Sequence, residues 1–401
     1  MATQNSNQVK PYKVIKLEDF FEVQLKMFKL IGFNIIPLEI TSARTKIVEK
    51  LMKYYYFSCI FGDCLLVIQF GAQLLTNFNK LDVVVRALPN VTVFPYNFSK
   101  AILFYTKRKK ILHILEEMRI SFPATQSEQQ YCNLKGRLKW FITLCKYYIV
   151  IYFGTVTAGI IIMITGLIFQ NIRKQSVEIW YPFDDTANNL KFIPTIFWLT
   201  WTAYNAAFNA ISSDFYIFAS ALVLSIEFSI LGEELKNAIN DGKIDNLREI
   251  IVRHQELIEI SNDMKSLFTF IIFYTFLQGA LSISFCGFQM LTATSEADLF
   301  YLVLYTLSSL GQVYLFCYFG EKLITATQDV NRNILESNWY ELKDVSVKKS
   351  ILFVILRSQK ACELSGFGFV SLSVATFSNV SIKLCSDEHN PSSHFFSSTG
   401  T

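Results

Sequence analysis

The side chains most often used for nucleophilic or metal chemistry do not form a recognisable catalytic pattern in this sequence. Of the four histidines (His113, His254, His389 and His394), only the last two are close together, and they lie in a polar tail. A metal site needs several ligands around one point. Neither a Gly-x-Ser-x-Gly turn, a phosphate-cradling glycine loop nor a Cys-x-x-Cys pair occurs. We therefore expect no enzyme activity, no cofactor, no metal and no nucleic-acid partner.

Four ionisable residues, Asp63, Lys146, Asp214 and Glu227, fall inside otherwise apolar segments. A charge in hydrocarbon is costly, so such a residue usually has a structural or functional partner. Lys146 and Glu227 are predicted to lie at the cytosolic ends of their segments, where long side chains can reach polar surroundings. Asp214 is predicted to be structural or gating, and the sequence does not name its partner.

The composition indicates a membrane protein. Hydrophobic residues make up 52% of the 401 positions, and charged residues only 17%. A soluble domain carries roughly 25% charged residues. The 37 phenylalanines suit lipid-facing surfaces and apolar pockets. A chain this apolar is expected to contact a lipid bilayer.

Seven segments are long and apolar enough to cross the hydrocarbon core, which takes about 20 helical residues. The second is weak because it contains Arg86, Pro89 and Asn90, and the seventh is short. The fourth is longer than a bilayer is thick and should project into the cytosol. We predict spans at 54–75, 83–105, 141–169, 193–231, 267–291, 299–324 and 367–384, within a seven-helix transmembrane domain at 54–384. The fold class is all-α membrane protein, with a cytosolic segment at 1–53 and a polar tail at 385–401.

Lysine and arginine fix the orientation, because they are concentrated in cytosolic loops. Twenty-eight of the 37 lie on the side that contains the N-terminus, and five lie on the other side. The N-terminus is therefore predicted to be cytosolic and the C-terminus extracellular. G-protein-coupled receptors also have seven spans but the opposite orientation, and their Asp-Arg-Tyr and Asn-Pro-x-x-Tyr motifs do not occur here.

Local motifs in a fixed order resemble the insect odorant receptor family. Each is weak alone, and together with the inverted topology they are specific; the last three are the most telling. The motifs are Gln24–Gly32, Trp180–Asp184, His254–Leu257, Phe316–Glu321, Asn338–Tyr340, Arg357–Lys360 and Ser371–Ser373 followed by Thr376–Phe377.

The resemblance implies a ligand-gated cation channel in which this chain is the ligand-specific subunit. In the family, such subunits form a heterotetramer with a shared co-receptor, and span seven lines the pore. The resemblance also implies a plasma-membrane location in the cilia or dendrite of olfactory neurons. Gating or structural roles are expected for Asp214, Trp339, Ser373, Thr376 and Phe377.

An odorant pocket should be mostly apolar and aromatic, with one or two polar groups that orient a small volatile ligand. In the family it lies in the outer half of the helix bundle. Tyr204 and Phe208 are four residues apart, as are Tyr301 and Tyr305, so each pair can share a helix face. The predicted ligand-binding residues are Phe94, Met163, Phe169, Trp201, Tyr204, Asn205, Phe208, Tyr301, Tyr305 and Ser308.

The sequence departs from the family after Phe377, where an apolar aromatic run would complete span seven. Here the chain becomes polar, and Asp387, Glu388 and Pro391 would be costly in hydrocarbon. Span seven is predicted to be truncated on its outer side. One alternative is therefore a non-conducting receptor variant. A multi-pass transporter is another, although it would need paired helix breaks in both halves, and Pro89 supplies one break only.

Overall fold

A computed structural model describes residues 14–36, 43–170, 179–184, 187–242, 247–292 and 295–379. These ranges form a helical bundle with one small two-stranded hairpin. The helices are α1 (Leu17–Leu30), α2 (Ala43–Thr76), α3 (Leu81–Thr106), α4 (Arg108–Ser121), α5 (Gln126–Tyr131), α6 (Leu134–Gln170), α7 (Asn189–Asn240), α8 (Leu247–Thr292), α9 (Glu296–Leu335) and α10 (Val345–Ser358). A 3₁₀ turn (Trp339–Glu341) precedes α10, and the strands are β1 (Ser365–Gly366) and β2 (Val370–Ser371).

Helix α7 is the central helix of the bundle, in contact with α1, α2, α3, α6, α8 and α9. Every side chain from Asn209 to Phe228 is buried. A helix that is apolar on all sides is stable only when other helices surround it. Its 52 residues extend about 78 Å at 1.5 Å per residue. A bilayer core is only about 30 Å thick, so α7 extends well beyond the membrane, as predicted for span four.

Five helices within the described residues are long and apolar enough to cross a membrane, namely the main parts of α2 and α6 and the whole of α7, α8 and α9. Helix α3, the predicted second span, contains Arg86 and Lys100, and both Pro89 and Pro95 lie inside it. Because both prolines lie in one helix, they do not form the paired breaks that a transporter would need.

The cytosolic helices pack on the inner part of α7. The Phe21 ring of α1 lies 5.2 Å from the Tyr216 ring of α7. In α4 the side chains of Ile111, Ile114, Leu115 and Met118 are buried, at the helical spacing that the sequence predicts. An ion pair of 2.6 Å between Arg119 and Glu18 joins α4 to α1.

The β1–β2 hairpin is held between α8 and α9 by close backbone approach. A Cβ on Gly366 would lie 2.7 Å from the Phe273 Cα of α8, and a Cβ on Gly320 of α9 would lie 2.3 Å from the Leu372 carbonyl oxygen. Thr269 of α8 donates to the Ser365 carbonyl (3.0 Å) and accepts from the Phe367 amide (2.8 Å).

A short helix at 374–379 follows the hairpin. The predicted span seven began at Phe367, whereas the structure places residues 365–371 in the hairpin and starts the helix at Val374. Positive φ angles at Phe367 and Gly368 explain the difference, because they turn the chain back on itself. The outer end of the predicted span lies outside the described residues.

Candidate ligand-binding site

A cavity of about 120 Å³ lies between α3, α6, α7, α8 and α9. On α7 it extends from Leu199 to Ala207, which is 10 to 18 residues from the extracellular start of that helix. It therefore lies in the outer half of the bundle. Its lining consists of Asn90, Val93, Phe94, Tyr96, Asn97, Tyr152, Thr155, Val156, Gly159, Ile160, Leu199, Ala203, Ala206, Ala207, Gln278, Tyr301, Tyr305, Ser308, Ser309 and Gln312.

Three alanines and one leucine form the α7 wall of the cavity. Leu199, Ala203, Ala206 and Ala207 follow one another at helical spacing, so they share the α7 face that borders the cavity. On α6, a Cβ added to Gly159 would meet the Tyr301 ring at 3.1 Å. Glycine at this position therefore lets the aromatic wall of α9 approach α6 closely.

A buried ion pair adjoins the inner end of the cavity. Lys100 Nζ of α3 lies 2.5 Å from Asp214 Oδ1 of α7, and neither side chain is exposed. Gln312 Nε2 of α9 donates to the other Asp214 oxygen at 2.7 Å. The Lys100 ammonium also lies 4.0 Å from the centroid of the Tyr96 ring. Because Gln312 and Tyr96 both line the cavity, the ion pair is coupled to the cavity wall by direct contact.

Four predicted ligand-binding residues line this cavity. They are Phe94 from α3 and Tyr301, Tyr305 and Ser308 from α9. The Tyr301 and Tyr305 rings share one face, with centroids 6.2 Å apart. This is the arrangement that the four-residue spacing predicts.

Four others, all on α7, face different neighbours. The Trp201 ring packs on Trp198 at 5.6 Å, and Asn205 Oδ1 accepts from the Tyr55 hydroxyl at 3.2 Å. The structure places the rings of Tyr204 and Phe208 6.0 Å and 4.7 Å from that of Phe153. The large aromatic side chains that the sequence predicts as ligand contacts on α7 lie beside the alanine face rather than on it. The side chains of the remaining two, Met163 and Phe169, lie outside the described residues.

Several lining residues were not predicted from the sequence. Asn97, Gln278 and Gln312 are polar residues within apolar helices, and this was a usable signal, because polar groups inside a membrane usually face the protein interior. The alanines of α7 carried no comparable signal, since small residues are also common wherever membrane helices pack closely.

Three of the predicted gating residues, Ser373, Thr376 and Phe377, lie at the start of the short helix at 374–379. Ser373 precedes the helix at 374–379, and its Oγ accepts from the Thr376 amide at 3.2 Å. The Phe377 ring contacts Tyr314 of α9 at 5.4 Å. Glu321 of α9 accepts from the Val374 amide at 3.1 Å. The start of the helix is therefore attached to α9, whose outer half lines the cavity. Trp339 is partly buried against the main core, in the turn before α10.

The inner ends of α7 and α8 contain two buried titratable groups. Glu227, predicted to reach polar surroundings, is fully buried and instead accepts from Ser121 of α4 at 2.5 Å. His254, 13 residues before the predicted start of span five, lies 3.4 Å from Ser358 Oγ of α10. Burial, together with the nearby Arg357 charge, lowers the pKa of His254 to about 4. His254 is therefore neutral at pH 7.

Comparison with known proteins identifies the family. The family described as 7tm Odorant receptor matches residues 80–382, three quarters of the chain. The chain belongs to the odorant receptor family. The Drosophila melanogaster odorant receptors 67a and 85b are 23% and 24% identical to it. The alignment with 67a covers 91% of this chain and 93% of that receptor, and the alignment with 85b covers 75% and 80%.

Solved structures show the same fold. The insect olfactory receptor OR5 from Machilis hrabei aligns with a TM-score of 0.78 at 14% identity, over 92% of this chain and 96% of that chain. Its complex with eugenol aligns with a TM-score of 0.77. The resemblance predicted from the sequence is confirmed, and with it the all-α fold of seven transmembrane helices with a cytosolic N-terminus. Because the chain belongs to this family, the transporter alternative is set aside.

Proposed function

We propose that this odorant receptor is the ligand-binding subunit of an odorant-gated cation channel and that a small, mostly apolar volatile binds in the cavity between α3, α6, α7, α8 and α9. The observation that carries this proposal is the cavity itself, with aromatic walls, few polar groups and a position in the outer half of the bundle. Apolar pockets with a few convergent polar groups are the usual form of small-molecule sites.

The start of span seven offers a route from the cavity to the pore. Helix α9 contributes Tyr301, Tyr305 and Ser308 to the cavity and, farther along, binds the start of span seven through Glu321 and Tyr314. A ligand opens a channel only if it binds the open state more tightly than the closed state. We propose that ligand contacts shift α9 and that the shift reaches span seven through these two residues.

The complete channel is proposed to be a heterotetramer of this subunit with the shared co-receptor, in the plasma membrane of olfactory neurons. The family resemblance in the sequence supports both parts of this proposal. The polar sequence after Phe377 favours one alternative, a subunit that binds ligand and assembles but does not conduct.

The test is odorant-evoked cation current in cells that express this chain with an insect co-receptor. A second version replaces the residues after Phe377 with an apolar, aromatic helix. Current from both versions supports the conducting channel, and current from the repaired version alone supports the non-conducting variant. If both reach the surface and neither responds to a broad panel, the channel proposal is wrong.

A cavity-filling variant locates the ligand. Ala203→Trp places an indole in the cavity and should abolish the response, whereas Ile193→Trp, on an exposed face of the same helix, should preserve it. An unchanged response in Ala203→Trp would place the ligand elsewhere.

A further inference from the structure

Three polar atoms on residues that line the cavity have no hydrogen-bond partner among the described protein atoms. They are Gln278 Oε1 of α8, Asn97 Oδ1 of α3 and the Tyr305 hydroxyl of α9, which has Ser282 as a neighbour but forms no hydrogen bond of standard geometry with it. All three atoms are buried. A buried polar group without a partner is costly, and native proteins contain few of them. Three around one cavity indicate that its occupant supplies the missing hydrogen bonds.

Gln278 is held in place by its other amide atom. Its Nε2 lies 2.9 Å from Ser282 Oγ, which in turn lies 3.3 Å from Thr92 Oγ1 of α3. Asn97 is fixed through its backbone, because its carbonyl accepts from Asn209 Nδ2 of α7 at 3.0 Å. The free oxygen of Gln278 therefore belongs to a side chain that is already ordered, so a ligand bonding to it would restrict little additional freedom.

A hydroxyl group matches these atoms better than a carbonyl, an ether or a hydrocarbon does. It donates one hydrogen bond and accepts others, so it can donate to the free oxygen of Gln278 or Asn97 and exchange a bond with Tyr305. If the amide oxygen and nitrogen of Gln278 or Asn97 exchange positions, the ligand hydroxyl accepts a hydrogen bond from the nitrogen instead of donating one to the oxygen. A carbonyl, ether or hydrocarbon has no donor and would leave the amide oxygens unpaired.

The volume limits the size of the ligand. An apolar cavity of about 150 Å³ holds benzene, and this cavity measures about 120 Å³. A single ring or a short branched chain fits, once side chains adjust slightly.

We infer that this receptor selects a small alcohol or phenol, whose hydroxyl binds among Gln278, Asn97 and Tyr305 while its apolar part packs against the aromatic walls. This inference rests on the proposed function, because it assigns the ligand class of the same cavity. Ligands of equal size without a donor bind more weakly, since they desolvate these polar atoms without pairing them.

The test measures ligand binding without requiring a conducting channel. Thermal unfolding of the purified full chain is recorded with benzyl alcohol, benzaldehyde and ethylbenzene, which have equal numbers of heavy atoms. A ligand that binds the folded state raises the melting temperature with its concentration. We expect benzyl alcohol to bind about tenfold more tightly than the other two, the size of effect that one hydrogen bond gives.

Gln278→Met should reduce this preference to less than about threefold, because it keeps the side-chain length and removes the amide. Gln289→Met, on the same helix and outside the cavity lining, should leave the preference intact. Comparing one ligand between variants cancels its partition into detergent. If Gln278→Met does not fold, Tyr305→Phe removes one hydroxyl and should also lower the preference.

Equal binding of the three compounds, or a preference unchanged in both Gln278→Met and Tyr305→Phe, would overturn the hydroxyl assignment. Absence of binding by all three would also overturn it. None of these three results would contradict the proposed function if odorant-evoked current persists and Ala203→Trp abolishes it. Current that is insensitive to Ala203→Trp would instead contradict the proposed site.

Discussion

Lys100 and Asp214 form an ion pair from which solvent is completely excluded, with Nζ and Oδ1 2.5 Å apart. The pair joins α3 to α7, and Gln312 adds α9 to the same network. A buried pair of this kind contributes little net stability compared with apolar residues, but removing one partner leaves the other charge uncompensated. The network therefore fixes how three helices meet beside the cavity.

Lys100→Met should destabilise the protein by about 3–5 kcal/mol, and Asp214→Leu by a similar amount, because each leaves one buried charge unpaired. The double variant should recover most of the loss, since neither charge remains. Thermal unfolding of the four proteins in detergent checks the expectation. Additive losses in the double variant would mean that the two residues act independently.

Gly320→Ala should displace the hairpin, because the new Cβ would lie 2.3 Å from the Leu372 carbonyl oxygen. The hairpin leads into span seven, so we expect the odorant-evoked current to fall at least about tenfold while ligand binding persists; this corresponds to roughly 1.4 kcal/mol of coupling energy. Gly311→Ala on the same helix is the matched control, since its Cβ would meet no heavy atom within 4 Å. Equal effects of the two substitutions would contradict the role of the hairpin contact.

Glu321→Leu should weaken the attachment of span seven to α9. The Glu321 carboxylate accepts from the Val374 amide at the start of the short helix, and such N-terminal contacts stabilise a helix by about 0.5–2 kcal/mol. We expect the odorant concentration for half-maximal current to shift by roughly 2- to 30-fold, because a free-energy change of this size alters an equilibrium constant by that factor. Glu336→Gln, which removes the charge of Glu336 from its surface ion pair with Lys236, should leave this concentration unchanged. If Glu321→Leu does not shift the odorant concentration for half-maximal current, this contact takes no part in gating.

Acidification should destabilise the cytosolic helices through His254. Its pKa is about 4 in the folded protein and 6.5 when unfolded, so below pH 6.5 the unfolded chain binds a proton that the folded protein does not. Stability should decrease as the pH falls from 6.5 to 4, by at most about 3 kcal/mol at 1.36 kcal/mol per pKa unit. Melting temperatures across this range should fall less in His254→Gln than in wild type. His113→Gln, at an exposed position, is the control and should behave like wild type. If the melting temperature of His254→Gln falls as steeply with pH as that of wild type, the assignment to His254 is wrong.

Sequence reasoning predicted the architecture well and the site only in part. Long apolar segments and the lysine and arginine distribution predicted the helices and their orientation, because both reflect the energy of transfer between water and lipid. The cavity depends on helix rotation, which hydrophobicity does not determine for a helix such as α7 that is apolar on every side. Trp201 and Ala203 are two residues apart and face different neighbours for this reason.

For Asp214 the sequence predicts the importance of the residue but not its partner. Its burial and its importance follow from one carboxylate in an apolar segment, but its partner is 114 residues away, in a helix that contains two prolines. Nothing local in the sequence joins Lys100 to Asp214. Only the packing of α3 on α7 brings them together.

The two glycine contacts of the hairpin have a consequence for how such receptors diversify. At Gly320 and Gly366 a single added carbon would overlap Leu372 and Phe273 respectively, so these positions tolerate almost no change. The walls of the cavity are side chains of several sizes at other positions of the chain, and many substitutions there would alter only shape and polarity. A gene copy of this receptor could therefore acquire a new odorant by mutation of the walls while inheriting an intact connection to the pore.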